Sequence, residues 1–524
     1  MIKISNLRLE PLAGEAEIKA AAAKKLGIPA GAVERFGIAR MSIDARRGRR
    51  TSLVCSVVLS CTDEEAVLRR SGGGDVAPFT EKAYVRPPVR RQSGMRPVVV
   101  GMGPAGLFAA LYLAEAGFPC VVLERGGDID SRAEAVERHW RTGVPDARSN
   151  VQFGEGGAGA FSDGKLTTGT HDIRTRSVLQ TLCRFGAPED ILWSNRPHVG
   201  TDILRDVVKN IRRELVRLGC DVRFNTAMTG LRLESGRLAA VETESGAIET
   251  DSAVLAIGHS ARDSFFMLEK LGLELVPKPF SVGVRIEHRQ ADIGYAQYGE
   301  LYTRLPPADY RLAEHLENGR SAYSFCVCPG GVVVSSSSEP DGIVTNGMSY
   351  RARDGVNING ALLVSVTPED FGGPGPLAGV GFQREIERAA FVLGGSDGRA
   401  PAQTVGGFMA RRASEHGGSI TPSYRPGVRW TALDGALPDF VCESLRLALP
   451  RFGRKVRGFD SPDAVLTGVE TRSSSPVRIV RGDGLCATRA EGVYPCGEGA
   501  GYAGGIVSAA VDGIRAAEAI FTRE

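Results

Sequence analysis

The chain has 524 residues, enough for about three domains, each with an ample apolar core. Its 64 Lys and Arg residues nearly balance 61 Asp and Glu residues, and this net charge of +3 argues against a nucleic-acid or membrane surface. The sequence shows no signal-peptide pattern, no run near the roughly 18 apolar residues of a transmembrane helix, and no cysteines at zinc-ligand spacing. We therefore expect a cytoplasmic protein with no bound metal and no membrane or nucleic-acid partner.

The first 90 residues predict a separate small α+β domain. Alternating or apolar runs indicate strands at 2–8, 32–43 and 53–59 and helices at 15–26 and 63–70. A basic cluster between the second and third strands is interpreted as a solvated hairpin loop, although it could contact phosphates: Arg46, Arg47, Arg49 and Arg50. Residues 71–96 have the composition of a linker.

The stretch 96–126, RPVVVGMGPAGLFAALYLAEAGFPCVVLERG, predicts a strand, a glycine turn, a helix and a second strand. Gly101, Gly103 and Gly106 have GxGxxG spacing, which permits a tight turn, close approach of a pyrophosphate, and close packing of helix on strand. The helix begins at Pro104 and Ala105 and directs its unpaired amides and positive dipole end at that pyrophosphate.

An acid follows the second strand of this unit. Glu124 lies 18 residues after Gly106, where its carboxylate can accept hydrogen bonds from a ribose. A bare GxGxxG also occurs in ordinary turns. Because strand, helix, second strand and acid all occur in order here, the unit predicts dinucleotide binding rather than a purely structural role.

A glycine-rich loop at 153–165, FGEGGAGAFSDGK, contains Gly156 and Gly157 and cannot form a core element. Such a loop suits close backbone approach to a flat or phosphorylated ligand, with Ser162 and Lys165 able to donate hydrogen bonds. A mobile surface loop is the alternative, and the flanking aromatics Phe153 and Phe161 argue against it.

The segments after this loop follow the order of an FAD-binding domain. An amphipathic helix at 201–218, a strand at 221–224, a three-stranded meander at 228–250 and a buried strand at 253–257 ending at Gly258 succeed one another. Plain NAD domains of the doubly wound type lack the meander. From 277 to about 434 the pattern changes to strands and long loops, which predicts an inserted, largely β domain.

The carboxyl end supplies a second cofactor motif. A strand at 492–495 leads to Gly497 and Glu498. Glycines at 499–505, including Gly504 and Gly505, follow, and then a helix from Ile506 to Phe521. The acid can bond the ribityl chain or the pyrophosphate side, and the amino terminus of the helix can stabilise negative charge on a reduced isoalloxazine.

These elements predict an α/β fold built around a discontinuous Rossmann-like FAD-binding domain. We expect its two parts at 91–275 and 436–524, an inserted mainly β substrate domain at 276–435, and the α+β domain at 1–90.

The motifs GMGPAG, VVLERG, FGEGGAGAFSDGKL, VLAIGHSARD, CVCPGG and VYPCGEGAGYAGGI occur in that order. With them, the chain resembles, nearly end to end, the bacterial family of FAD-dependent dehydrogenases of undefined substrate. The resemblance implies FAD and redox chemistry. It assigns the three glycines of the turn to the pyrophosphate, Glu124 to the adenosine ribose, Arg125 to the adenine, Met228 to the adenine edge through its backbone, and Gly258 to the adenosine side. It places the 154–165 loop, Glu498, Gly504, Gly505 and Ile506 along the ribityl chain and the isoalloxazine.

Catalytic residues cannot be assigned from the sequence, because a flavin can transfer hydride without a separate acid or base. The candidate pocket residues are Arg285 and His288, on a predicted strand at 281–288, and Cys326 and Cys328, which precede a turn. The two cysteines could be a redox dithiol, pocket lining or ordinary packing. His198 and His259 could act as a general acid or base, or could be structural histidines. Arg472 and Arg478 could bind an anionic substrate or cap a loop.

No second strand-GxGxxG-helix unit is found, so NAD(P)H, if it is the electron donor, must bind transiently. The sequence predicts an FAD-dependent oxidoreductase (dehydrogenase or reductase) that acts on a small-molecule substrate. The alternatives are a flavoprotein that uses FAD structurally or as a redox sensor with a partner protein, and a tRNA-modifying flavoenzyme.

Overall fold

The computed structural model describes residues 1–46, 48–71, 73–373 and 375–523. The amino-terminal residues form a four-stranded antiparallel sheet in the order β2-β3-β1-β4, and two helices cover one of its faces. Its elements are β1 (Ile2–Leu9), α1 (Glu15–Leu26), β2 (Val33–Asp44), β3 (Ser52–Cys61), α2 (Glu64–Ser71) and β4 (Val76–Pro78). The turn between β2 and β3 carries the expected basic cluster, of which Arg47 lies outside the described residues.

The next part of the chain forms a parallel sheet and an antiparallel meander. Its elements are β5 (Val98–Val100), α3 (Pro104–Glu115), β6 (Val121–Leu123), α4 (Ile129–Thr142), α5 (Arg174–Arg184), α6 (Thr201–Arg217), β7 (Asp221–Arg223), β8 (Met228–Glu234), β9 (Arg237–Thr243), β10 (Gly246–Glu249), β11 (Ala253–Leu255) and α7 (Arg262–Lys270). Strands β8, β9 and β10 form the three-stranded meander that the sequence predicts.

The following part is built mainly of antiparallel strands. Its elements are β12 (Leu275–Pro277), β13 (Phe280–Arg289), α8 (Gln290–Tyr298), β14 (Ala313–His315), β15 (Ser321–Cys328), β16 (Val332–Ser335), β17 (Thr345–Met348), β18 (Asn357–Val366), α9 (Ala378–Gly394), β19 (Ala400–Thr404), α10 (Val405–Met409), β20 (Val428–Trp430), α11 (Asp439–Lys455) and β21 (Val465–Glu470). Seven of these strands form one sheet in the order β14-β15-β18-β13-β21-β19-β20.

The chain then returns to the parallel sheet through β22 (Val477–Ile479), β23 (Val493–Pro495) and α12 (Ile506–Phe521). The completed sheet has the order β23-β11-β5-β6-β7, and all its neighbours are parallel. The α/β fold with a discontinuous Rossmann-like domain and an inserted, mainly β domain is confirmed.

The short strands of the parallel sheet are apolar because both of their faces are covered. In β5, Val99 packs in the core shared with α3, α6 and α12, while Val98 and Val100 pack in the core shared with the meander. Successive side chains of a strand point to opposite faces, so a strand buried on both sides needs a continuous apolar run.

The seven-stranded sheet extends further along the chain than the sequence predicts. β21 pairs with β13 and β19 in its interior, and α11 packs in the same apolar core. This layer therefore runs to Glu470, past residue 435, where the second FAD-binding part is expected to begin. An amphipathic helix such as α11 does not reveal which sheet its apolar face will cover.

No helix in the described part of the chain is long and apolar enough to cross a bilayer.

Helix α12 lies directly on α3, and this contact brings the second cofactor motif to the first. A Cβ atom added at Gly513 would lie 2.0 Å from the carbonyl oxygen of Ala105. The two helix backbones therefore touch at a position where only glycine fits.

We predict opposite effects for two helical Gly→Ala substitutions. Gly381 lies within α9, and a Cβ atom added there would have no other atom within 4 Å, so Gly381→Ala should stabilise the protein by up to about 1 kcal/mol through helix propensity. Gly513→Ala gains the same propensity but must separate α12 from α3, so it should destabilise the protein by about 1–3 kcal/mol. Urea unfolding measures both changes, and equal effects would contradict the close packing.

Candidate functional site

A cavity of about 850 Å³ lies where the carboxyl ends of the parallel strands meet the seven-stranded sheet. The residues that follow β5, β6, β11 and β23 form one wall, and residues of β15 and β21 form the opposite wall. The carboxyl edge of an open parallel sheet is where ligands bind in α/β folds, because loops and helix amino termini converge there.

Most residues that the sequence assigns to the cofactor line this cavity. They are Gly101, Gly103, Pro104, Ala105, Glu124, Arg125, Gly157, Ser162, Lys165, Met228, Gly258, Glu498, Gly504, Gly505 and Ile506.

Three predicted cofactor residues shape the wall from behind and do not line it. Gly106 lies against the first glycine of the turn, where a Cβ would come within 1.8 Å of the Gly101 carbonyl oxygen. The Gly156 amide donates to the Met102 carbonyl at 2.8 Å, and the Gly497 amide donates to the Asp512 carboxylate at 2.8 Å. Their role is close packing of backbone.

The first glycine turn forms a cradle of backbone. Gly101 has φ of +97°, and a Cβ there would lie 2.3 Å from the Ala256 carbonyl oxygen. Gly103 precedes α3 as its N-cap without a side-chain hydrogen bond, so the first amides of α3 open onto the cavity. Unpaired amides at a helix amino terminus bind anions, and this cradle fits the pyrophosphate of a dinucleotide.

The Glu124 carboxylate joins the glycine turn to the glycine-rich loop. One oxygen accepts from the Met102 amide at 2.9 Å, and the other accepts from the amides of Gly126 at 2.9 Å and Gly154 at 3.0 Å. A carboxylate has about four lone-pair sites, so these three bonds leave room for a further donor. The predicted bond to a ribose is therefore compatible with this geometry, and it stays a prediction.

The neighbouring Arg125 is fixed at the cavity edge. Its guanidinium lies 4.5 Å from the centre of the Phe153 ring and donates to the Asp263 carboxylate at 3.0 Å and to the Ser264 hydroxyl at 3.1 Å. This holds a flat cationic group beside the space between Glu124 and Met228, so stacking on an adenine is sterically possible.

A buried arginine that the sequence does not single out organises the glycine-rich loop. Arg132 of α4 is fully buried, and its guanidinium donates to the carbonyl oxygens of Asn150, Val151, Gly154 and Glu155 at 2.6–3.3 Å. Burial lowers the pKa of Arg132 to about 9, against the opposing charge of Glu124. The glycine-rich loop is thus a positioned wall of the cavity.

The end of this loop carries a cluster of charges. Asp163 is buried and accepts hydrogen bonds from Ser349 and from Arg353, the latter at 2.9 Å, while the Lys165 ammonium lies 3.5 Å away. Burial alone would raise the pKa of Asp163, but Lys165, Arg353 and His198 hold it at about 2. Lys165 therefore faces the cavity from an anchored position.

Only one of the four candidate pocket residues lines the opposite wall. Cys326 lines the cavity, whereas Arg285 and Cys328 are buried directly behind it. His288 is a correction to the predicted pocket: it lies in the apolar core, its Nε2 is 2.7 Å from the Phe459 carbonyl oxygen, and burial lowers its pKa to about 4. Its strand is buried along nearly its whole length, so alternation along β13 could not indicate which side chains reach the cavity.

Two carboxyl groups in the cavity wall have unusual acidity. Burial raises the pKa of Glu470 to about 7, despite the Arg285 guanidinium 3.1 Å away. Burial also raises the pKa of Glu498 to about 7, with Lys278 opposing the shift. Groups that titrate near neutral pH in a cavity are suited to take up and release protons.

Arg472 is a candidate for binding an anionic substrate, but its charge is compensated within the protein. Its guanidinium donates to the Glu387 carboxylate at 2.9 Å and to the Ser260 hydroxyl at 3.1 Å. Arg262 donates to the same carboxylate at 2.8 Å. This buried network ties the parallel-sheet domain to the seven-stranded sheet. Arg478 lies over the Tyr502 ring and does not line the cavity.

The amino-terminal sheet also reaches the cavity. Its edge strand β2 exchanges backbone hydrogen bonds with 193–195, from the Met41 amide to Trp193 and from the Asn195 amide to Met41, each at 2.9 Å. Arg40, next to this contact, lines the cavity and donates from Nε to the Asn195 side chain at 2.7 Å. No local pattern in β2 indicates this role, because it depends on how two distant segments pair.

Family models match two segments of the chain, and a relative matches its whole length. Residues 279–473 match the family described as "FAD-dependent protein, C-terminal domain-like", and residues 1–59 match a domain of unknown function. The chain is 46% identical over 530 residues to an uncharacterized protein of Clostridium beijerinckii, covering 100% of this chain and 99% of that protein.

Solved structures show distant likenesses. NikD, described as an unusual amino acid oxidase, is 14% identical with a TM-score of 0.37, covering 82% of this chain and 94% of that chain. Glycine oxidase from Bacillus cereus is 12% identical with a TM-score of 0.32, covering 81% of this chain and 94% of that chain.

We predict that Arg132→Met loosens the glycine-rich loop. The substitution leaves four buried carbonyl oxygens without their donor, so it should cost at least about 3 kcal/mol of stability and speed amide exchange across 150–165. Arg205→Met is the matched control, because Arg205 also lies over the Phe161 ring, 4.3 Å from its centre, and should cost only about 1 kcal/mol. Equal exchange rates in the two variants would contradict this role.

We also predict that Glu498 makes the stability of the cofactor-free protein pH-dependent. The pKa of Glu498 is about 7 in the folded protein, above its ordinary value of 4.5. Between these two pH values, the folded protein still holds a proton that the unfolded chain has released. The contribution of Glu498 to the free energy of unfolding is therefore fully present below pH 4.5 and is lost as the pH rises through 7. Glu498→Gln should therefore lose less stability than the wild type between pH 5 and 8 in urea unfolding. Glu415→Gln, on the exposed surface, should keep the wild-type dependence.

Proposed function

Since this chain belongs to the family of FAD-dependent proteins, we propose that it is an oxidoreductase that transfers electrons between a bound FAD and a small-molecule substrate. The observation that carries this proposal is the continuity of the cavity. One wall is a backbone cradle that fits a dinucleotide, and the opposite wall holds further titratable side chains, including Cys326 and Glu470. A purely structural cofactor site has no need for the second wall.

The residues of the first wall would hold the cofactor in an extended form. The amino terminus of α3 and the Gly101 turn would bind the pyrophosphate, and Glu124 would accept from the adenosine ribose. Arg125 and Met228 would flank the adenine. Glu498, which lines the cavity, would bond the ribityl chain, and in its neutral form it can act as a donor as well as an acceptor.

When bound, the isoalloxazine ring of FAD supplies hydride or electron transfer. The amino terminus of α12, at Gly505 and Ile506, lines the same cavity and would stabilise negative charge on the reduced ring. The substrate would then lie between the ring and the wall formed by β15 and β21. NAD(P)H, if it is the donor, would enter transiently from the open side of the cavity.

The test is the visible spectrum of the purified or FAD-reconstituted protein, recorded anaerobically before and after addition of NADPH or NADH. We expect an oxidised flavin spectrum. Bleaching on addition of nicotinamide would indicate a reductase or hydroxylase, and persistence of the yellow form would indicate reduction by the enzyme's own substrate. Absence of a flavin spectrum after reconstitution would refute the proposal.

Gly103→Asp tests where the cofactor binds. An aspartate is a good N-cap, so α3 should stay folded, but its carboxylate would occupy the position of the pyrophosphate and repel it. We expect FAD affinity to fall at least about 100-fold with little change in thermal stability. Gly14→Asp, the same substitution at the glycine N-cap of α1, should leave FAD affinity unchanged. Fluorescence titration of FAD measures both.

A further inference from the structure

The cavity wall is irregular where it carries Cys326. The pairing of β15 with β18 shifts register between Phe325 and Cys328, and Cys326 has φ of +41°. A β-bulge of this kind redirects a side chain, and a non-glycine residue at positive φ carries a conformational cost. The residue that carries this conformational cost, Cys326, lines the cavity.

A second sulfur lies directly behind the first. The Cys328 side chain is completely buried, and its thiol donates to the Cys326 carbonyl oxygen at 3.3 Å. In a regular strand, residues two apart have Cα atoms about 6.6 Å apart, near the upper limit of roughly 6.8 Å for a disulfide. The bulge breaks that extended geometry between Phe325 and Cys328, so the two cysteines are not held at the full separation of a regular strand.

A buried cation is positioned against both cysteines. Arg285 donates from Nη2 to the Cys326 carbonyl oxygen at 2.8 Å, and the same nitrogen lies 3.6 Å from the Cys328 sulfur. Gly347 makes this approach possible, since a Cβ there would lie 2.0 Å from that nitrogen and 2.7 Å from the Cys328 sulfur. The positive charge of this guanidinium therefore lies close to both cysteines, and a nearby cation favours the thiolate, which is the reactive form of cysteine.

The acidity of the pair agrees with this geometry. The Cys328 thiol lowers the pKa of Cys326, and the positive charges of Lys165 and Arg285 act in the same direction against burial. Burial raises the pKa of Cys328, so this thiol keeps its proton. Glu470, which lines the cavity and pairs with Arg285 at 3.1 Å, is a proton acceptor on the same side.

We propose that Cys326 and Cys328 form a redox-active dithiol that exchanges two electrons with the flavin of the proposed function, on which this inference rests. On oxidation, a bond forms between the two sulfurs, the Cys328 S–H bond breaks, and its proton leaves toward Glu470. The two electrons pass from the sulfurs to the oxidised flavin. In the reverse direction, a reduced flavin supplies two electrons, the S–S bond breaks, and Cys328 regains its proton.

The first test counts electrons in the FAD-reconstituted protein. After oxidation with diamide and removal of the reagent, anaerobic dithionite titration should consume twice as many electrons per flavin in the wild type as in Cys326→Ser or Cys328→Ser. Cys220→Ser is the matched control, because Cys120 and Cys220 are another adjacent pair, with sulfurs 3.7 Å apart behind the parallel sheet. It should keep the wild-type count.

The second test locates the bond without relying on the flavin. Tryptic cleavage after Arg320 and Arg351 releases a peptide that contains Cys326 and Cys328 and no other cysteine. In the diamide-treated protein, this peptide should be lighter by two hydrogens and should resist alkylation until it is reduced. Its full alkylation, or an equal electron count in wild type and Cys328→Ser with flavin bound, would overturn the dithiol. A protein that forms this disulfide but shows no flavin spectrum would instead refute the proposed function.

Discussion

The cavity depends on backbone packed against backbone at one edge of the parallel sheet. Three amides from three separate segments, the glycine turn, the residues after β6 and the glycine-rich loop, converge on the Glu124 carboxylate. The Gly513 position of α12 touches the Ala105 carbonyl of α3. These contacts bring the glycine turn, the glycine-rich loop and the amino terminus of α12 close together. A side chain at Gly126, Gly154 or Gly513 would push these segments apart, and the space between the walls would lose its shape.

This constraint explains why so much of the first wall could be predicted. Only glycine fits positions with positive φ or close backbone contact. The spacing of these glycines along the chain therefore indicates where the turn and the loop lie. Gly101, Gly103 and the acid at Glu124 lie in the cavity wall as their spacing indicates. The meander and the apolar strands could be predicted as well, because burial on one or two faces leaves a distinct pattern in the sequence.

What could not be predicted depends on pairing between distant segments. Arg132 reads as one more charge on an amphipathic helix, yet it is fully buried and bonds four carbonyl oxygens of the loop. Arg40 reaches the cavity only because the edge strand β2 pairs with 193–195. The extent of the seven-stranded sheet, which includes β21, and the burial of His288 are also set by tertiary contacts. The hydrophobic periodicity of a single helix or strand does not indicate these tertiary contacts.

The two walls differ in how they handle charge, and this difference supports a division of labour. The part of the first wall that would meet the anionic phosphates of a dinucleotide offers amides and a helix dipole, so no mobile proton is needed there. The second wall encloses Glu470, Arg285 and two thiols where water is largely excluded, and burial brings the pKa of Glu470 to about 7. A carboxyl that titrates near neutrality costs little to protonate or deprotonate, and a thiolate beside a guanidinium costs little to form. Proton and electron movements are therefore easiest at the second wall, where a flavin ring and its substrate would meet.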